Sequence, residues 1–136
     1  KMTVIAINVG GAIIPVLISL YLLFVTGLYV KSLIATALLT LITYRMAKPL
    51  PGIGITLPFF MPPLLAAVIS VSLSYDHAPV IAYISGTIGT LIGADILHLK
   101  EIYGLGAPVA SIGGAGTFDG IFLNGILAVL LSAFLS

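Results

Sequence analysis

Apolar residues run almost unbroken from Thr3 to about Thr26, from Leu28 to Ala47, from Pro79 to Leu99 and from Thr117 to Leu135. Each stretch approaches or exceeds the roughly 20 residues a helix needs to cross a bilayer. Gly10-Gly11 and Pro15 interrupt the first, which predicts a kink there, and Gly27 closes it. Lys31 lies near one end of the second stretch, where it can snorkel, and Arg45, Lys48 and Pro49 stop it at the other. Between Pro49 and Pro63 the chain stays apolar but is full of helix breakers. The clean helical run Leu64–Ser74 is too short to cross alone. The expectation is a third span beginning near Ile53 and kinked by proline, with a re-entrant segment over 50–61 as the alternative. Tyr75-Asp76-His77 is a polar turn, and Ile102–Gly116 is a Gly- and Ala-rich connection expected to lie against or dip into the membrane, buried in protein.

The pattern therefore predicts an all-α, polytopic transmembrane helix bundle of about five spans, a single integral membrane domain over residues 1–136, with kinked or re-entrant Gly/Pro-rich segments. Composition agrees. Of 136 residues 60% are hydrophobic and 7% charged, against about 25% charged in soluble domains. That excludes an ordinary cytosolic enzyme, a nucleic-acid binder and a disordered chain. With no Cys, disulfides and thiolate chemistry are excluded, and with no Trp, Tyr and Lys/Arg must anchor the interfaces. A net charge of +1 argues against a polyanionic partner. Lys1-Met2-Thr3 carries no separate cleavable signal pattern, as expected of a trimmed or partial chain. No internal repeat stands out. Lys1, Arg45, Lys48 and Lys100 fall on one side of a five-span chain and Lys31 on the other, so the N-terminus is expected in the cytoplasm and the C-terminus outside.

Three aspartates are candidates for chemistry. Asp76, in the outer turn, reads as a solvated turn residue. Asp95 lies inside the fourth span, and an ionisable group there marks a candidate site; the bland alternative pairs it with His98 at i+3. Asp119 lies in the first turn of the fifth span, where an acidic residue also serves as a helix-start residue with Thr117 as N-cap. The pair says more than either member. One span ends and the next begins on the same side, so both carboxylates belong to one leaflet at similar depth. Asp95 is near a helix C-terminus, where the macrodipole disfavours an anion, and Asp119 near an N-terminus, where it favours one. Two close carboxylates in such unlike settings make an acid–base pair or a proton or cation site.

Asn8 is a third polar group at this depth, either a carboxylate partner or a helix-contact amide. Asn124, about 140° around the helix from Asp119, is expected to face a different neighbour. Gly113, Gly114 and Gly116 suit a backbone nest or a packed turn. Ser85, Gly89 and Gly93 follow small-xxx-small spacing, so span four should touch another helix closely there, with Asp95 pointing largely away from that face. With both faces occupied, span four is the central helix.

Gly89-Thr90-Leu91-Ile92-Gly93-Ala94-Asp95 and the run Ser111–Leu123 resemble signature stretches of a prokaryotic multi-pass membrane family, domain of unknown function 1614. The similarity covers nearly the whole chain, including Asn8-Val9-Gly10-Gly11 and the Pro58–Pro63 run. The family brings no established activity. A second, weaker likeness is to the Gly-x-Gly-Asp intramembrane aspartyl proteases, which use two span-embedded aspartates. Gly93-Ala94-Asp95 lacks the second Gly of that motif, and Asp119 follows Gly114-Ala115-Gly116 two residues late. Those proteases also use a Tyr-Asp, and here Tyr75-Asp76 falls on the opposite side. Their Pro-Ala-Leu element is absent as such, with Pro49-Leu50-Pro51 as a substitute.

The leading expectation is an intramembrane di-aspartyl hydrolase, with Asp119 the ionised base and Asp95 the protonated acid, and with Asn8, His98, Gly113, Gly114, Gly116 and Thr117 in support. The alternatives are a small proton- or cation-coupled transporter or channel, or a structural membrane assembly subunit. No metal and no cofactor is expected. The expected partners are the lipid bilayer and a transmembrane peptide substrate or a second copy of the chain, and no nucleic acid.

Overall fold

Prolines and glycines set the helix boundaries. Pro15, Pro62-Pro63 and Pro79 all fall in first turns, where the missing N–H goes unneeded and the fixed φ suits the helix. Around the expected kink at Gly10-Gly11 and Pro15, a π-helical turn, Val9–Ile13, runs directly into the helix Ile14–Thr26. The computed structural model describes residues 4–7, 9–50, 54–58, 60–98, 109–112 and 118–136. In chain order they form strand β1 (Val4–Ile7), a π-helical turn (Val9–Ile13), α1 (Ile14–Thr26), α2 (Tyr29–Met46), β2 (Lys48–Leu50), β3 (Gly54–Thr56), α3 (Met61–Leu73), α4 (Ala78–Thr90), β4 (Val109–Ile112) and α5 (Phe118–Leu135). α4 runs on through a π-helical turn, Leu91–Asp95, and a 3₁₀ turn, Ile96–His98. Gly27 ends α1 in the left-handed region, φ 69°, its N–H donating to the Leu23 carbonyl at 3.0 Å.

The body of the fold is helical, and two short sheets amend the all-helical expectation. β1 and β4 pair in parallel, with Val4 opposite Val109 and Ile7 opposite Ile112. The first apolar stretch is therefore not helical throughout: β-branched Val4, Ile5 and Ile7 favour a strand, and β4 supplies its partner. β2 and β3 form a hairpin, Leu50 opposite Gly54, where a kinked span was expected. Pro49 in β2 and Gly54 in β3 suit a short ribbon better than a helix interior. α3 then covers 13 residues, about 20 Å at 1.5 Å per residue.

α4 sits at the centre, packed against α1, α2, α3 and α5. The contacts are made by small side chains. Ala35, Ala66, Ala67, Ala82, Ala128, Ser32, Ser70, Ser85 and Thr87 are buried, with Leu39 and Ile81 among the few large ones. The large apolar side chains face outward: Tyr21, Phe24, Val30, Leu33, Leu130 and Phe134 are all exposed, Phe24 by 79% and Phe134 by 86%. Among the described residues one helix, Ala78–His98, is long and apolar enough to cross a membrane; Gly11–Thr26, Met61–Leu73 and Asn124–Leu135 are shorter apolar helices.

Two glycine faces let the helices approach. A Cβ on Gly89 would lie 2.6 Å from the Leu39 Cβ, and one on Gly93 would lie 2.5 Å from the Thr40 carbonyl oxygen, so this face of α4 meets α2 backbone to backbone. That is the close contact the small-xxx-small spacing predicts. α2 and α4 run parallel, since Leu39 meets Gly89 and Thr43 meets Gly93.

Candidate functional site

The site is built where α4 ends. α4 and α5 pack antiparallel: Gly86 lies against Ala128, Thr90 against Asn124, and Leu91 against Ile121. Each step toward the C-terminus of α4 meets a step toward the N-terminus of α5. Ala12, in the first π turn, joins Leu91 and Ile121 in one small cluster. Continuing that register one turn past Leu91 reaches Asp95 on α4 and the first turn of α5, Phe118–Gly120, on the other side. The two aspartate positions therefore share one end of the α4–α5 pair. The side chain of Asp119 lies outside the described residues, as do Asn8, Gly113, Gly114, Gly116 and Thr117. The paired residues Ile7 and Ile112 immediately precede Asn8 and Gly113 in the chain.

Asp95 is 4% exposed. It closes the π turn, in which the Ile96 N–H reaches back to the Leu91 carbonyl, five residues away. Such turns widen a helix locally and recur at functional sites. His98, also buried, is the neighbour with which Asp95 interacts. The His98 ring stacks on Tyr44 with centroids 4.8 Å apart and planes at 26°. Its Nε2 lies 3.0 Å from the Tyr44 carbonyl oxygen, which can only accept, so Nε2 carries the hydrogen. That carbonyl is one of the four that α2 leaves unpaired at its C-terminus.

α2 grips the other side of the same turn through Thr43. The Thr43 hydroxyl lies 2.7 Å from the Leu39 carbonyl of its own helix and 3.1 Å from the Gly89 carbonyl of α4. The widened turn carrying Asp95 is thus held between two contacts from one α2 turn. Thr43→Val keeps the shape and removes the hydroxyl. It is expected to cost about 1 kcal/mol or slightly more of stability, read as a lowered thermal unfolding midpoint.

Asn124 is 3% exposed and donates from Nδ2 to Thr90 Oγ1 at 2.9 Å, tying α5 to α4 about a turn and a half before Asp95. Among the described residues no cluster of three or more His, Asp or Glu side chains could hold a metal ion.

The family model for "Protein of unknown function (DUF1614)" matches residues 1–131. The chain belongs to the DUF1614 family. No curated protein and no solved structure matches it. In this DUF1614 protein the structure brings His98 to Asp95, as the i+3 spacing suggests. Sequence reasoning missed Thr43, Tyr44 and the tie from Asn124 to Thr90. A signal for the first was present: Ser32, Ala35, Leu39 and Thr43 recur at helical spacing along one face of α2, and all four are buried.

Proposed function

We propose that this protein is an integral membrane bundle of about five crossings that works as an intramembrane di-aspartyl hydrolase. The membrane setting is supported by the inverted distribution of side chains, with Ala, Ser, Thr and Gly inside and Phe, Tyr, Leu and Val outside. Helices in lipid pack through small residues and turn large apolar ones to the acyl chains. A water-facing surface of this kind would be one large apolar patch. Helices shorter than the bilayer core are accommodated by local thinning or by association with neighbours. The partners of this reading are the lipid bilayer and the peptide chain of another membrane protein.

The observation that carries the activity is the buried Asp95, at the end of α4 and level with the first turn of α5. In the proposed reaction Asp119 takes a proton from water as the water oxygen adds to a peptide carbonyl carbon. Asp95 donates its proton to the carbonyl oxygen, giving a gem-diol. As the C–N bond breaks, Asp119 passes its proton to the leaving nitrogen and Asp95 recovers one from a gem-diol hydroxyl. The helix ends suit this division, an anion being favoured at the start of α5 and disfavoured at the end of α4. His98, fixed by Tyr44, orients the Asp95 end. The test is cleavage of a fluorogenic transmembrane peptide by the chain reconstituted in vesicles. Two fragments are expected, and an intact peptide at every composition tried would overturn the reading.

Orientation is tested separately. Basic residues cluster at one end of alternate segments, so a reporter fused after Ser136 is expected to report the external face. Cytoplasmic activity from that fusion would overturn the five-span count or its direction.

A further inference from the structure

The turn that carries Asp95 is wound in a five-residue register, and α2 touches it on both sides. Gly93 faces α2, since a Cβ there would lie 2.5 Å from the Thr40 carbonyl oxygen. His98, five residues on, also meets α2: its Nε2 lies 3.0 Å from the Tyr44 carbonyl oxygen and its ring stacks on the Tyr44 ring. In a continuous α-helix, residues five apart stand about 140° from each other, so His98 would turn away from α2. A π turn closes its hydrogen bonds over five residues and brings both to one side. The Ile96 N–H shows how near the two registers are. It points at once to the Leu91 carbonyl, its π partner five residues back, and to the Ile92 carbonyl, its α partner four residues back. Before the turn, the Thr43 hydroxyl of α2 lies 3.1 Å from the Gly89 carbonyl oxygen. In an α register that carbonyl takes the Gly93 N–H.

A chain free of outside contacts prefers the α register, and π turns are rare for that reason. Here the contacts that favour the π register come from one turn of α2, through Thr43 at Gly89 and Tyr44 at His98. We propose that Leu91–Asp95 is a two-register hinge and that the last turn of α2 is its latch. With the latch closed the turn is π and Asp95 is buried, 4% exposed. With the latch open the Ile96 N–H settles on Ile92 and the turn becomes α. Asp95 and the residues beyond it then rotate by about 100°, the angle one residue adds to an α-helix. That rotation takes the carboxyl off its buried face. The consequence rests on the hydrolase reading: the acid is in place only while α2 grips the turn, so a movement of α2 switches the site off. Thr43 is a positioning residue in this scheme and touches no reacting atom.

Distances between two spin labels test the hinge on the intact chain in lipid vesicles. The sequence has no Cys, so labels attach only where one is introduced. Leu97→Cys lies just beyond the turn and Leu41→Cys on α2, and both positions are exposed. The rotation moves a side chain on a helix about 10–12 Å across by roughly 8 Å. With Thr43 in place one distance is expected to dominate. Thr43→Val removes the hydroxyl at nearly constant shape and is expected to raise a second distance about fivefold. Thr43→Ser keeps the hydroxyl and is expected to leave the distribution as it was. Deleting Ala94 sets Gly93 and His98 four residues apart, so an α turn meets both α2 contacts. That chain is expected to show one distance with or without the Thr43 hydroxyl. If it does not fold, the two Thr43 variants decide. A single distance in Thr43→Val, or equal second populations in Thr43→Val and Thr43→Ser, would overturn the hinge. Peptide cleavage separates the two readings. A second distance in Thr43→Val, with no cleavage by the unaltered chain, would remove the hydrolase and keep the hinge. Cleavage with a single distance in every variant would keep the hydrolase and remove the hinge.

Discussion

Gly93→Leu is expected to be the most destabilising single substitution in the helical body. A Cβ at this position falls on the Thr43 hydroxyl, lies 2.5 Å from the Thr40 carbonyl oxygen and 3.0 Å from the Tyr44 nitrogen. Two of these three neighbours are backbone atoms, which cannot turn aside as the end of a side chain can. To admit even a methyl group, α2 and α4 must separate at the turn that carries Asp95. That separation would also break the bond from Thr43 to the Gly89 carbonyl and the contact of His98 with Tyr44. Overpacking alone costs about 1–3 kcal/mol, and the lost bonds add about 1 kcal/mol each. Gly89→Leu meets the Leu39 Cβ at 2.6 Å and backbone atoms at 3.3 and 3.4 Å, so its effect is expected to be smaller. Gly27→Ala meets nothing within 4 Å and suffers only from its positive φ, about 1 kcal/mol. Thermal unfolding midpoints in detergent should fall in that order. An unchanged midpoint for both Gly93→Leu and Gly89→Leu would mean that this face of α4 meets no helix.

The contrast between these glycines shows what the sequence made legible. Small residues at Ser85, Gly89 and Gly93 announce a close helix contact because only they allow backbones to touch, and the contact is there. They do not say which helix comes. The partner face on α2, Ser32 through Thr43, could be read only once its own small residues were matched to those of α4. Boundaries of α2, α4 and α5 were readable to within a residue or two, since Gly27, Pro49, Tyr75-Asp76-His77 and the charges at Arg45 and Lys100 punctuate them. The two sheets were not. β1 sits inside an apolar run, where a strand and a buried helix look alike, and its partner lies more than a hundred residues away. Prolines 62 and 63 were ambiguous for another reason. A proline starts a helix or kinks one depending on whether a turn precedes it, and composition does not decide that. At the site, the pairing of Asp95 with His98 followed from spacing along one helix. The π turn and the grip of α2 did not, because both arise from packing between segments.

Asp95→Asn and Asp119→Asn should each abolish peptide cleavage while leaving the fold intact. The expectation comes from the register of α4 and α5. Gly86, Thr90 and Leu91 meet Ala128, Asn124 and Ile121, successively earlier residues of α5, and extending that pairing by one turn points from Asp95 toward the turn of Asp119. If the two carboxylates form one site, their oxygens lie within roughly 3–7 Å, close enough to share a proton directly or through one water. Two anions at that distance in a medium of low dielectric repel strongly, so the working state holds one proton between them. Asparagine imitates the neutral acid in size and hydrogen bonding, so either variant should unfold at nearly the temperature of the unaltered chain. Neither can pass a proton on. Loss of one carboxylate should therefore lower the rate by about 10²–10⁴-fold, the usual worth of positioned acid–base catalysis, and the double variant should be little worse than either single one, as befits groups that act as a unit. Additive losses in the double variant would mean two independent groups. So would a structure with the two side chains more than about 10 Å apart, beyond even water-separated catalytic carboxylates. Asp95 would then be the buried partner of His98, held by Tyr44 for packing, and Asp119 a first-turn acid that favours the start of α5.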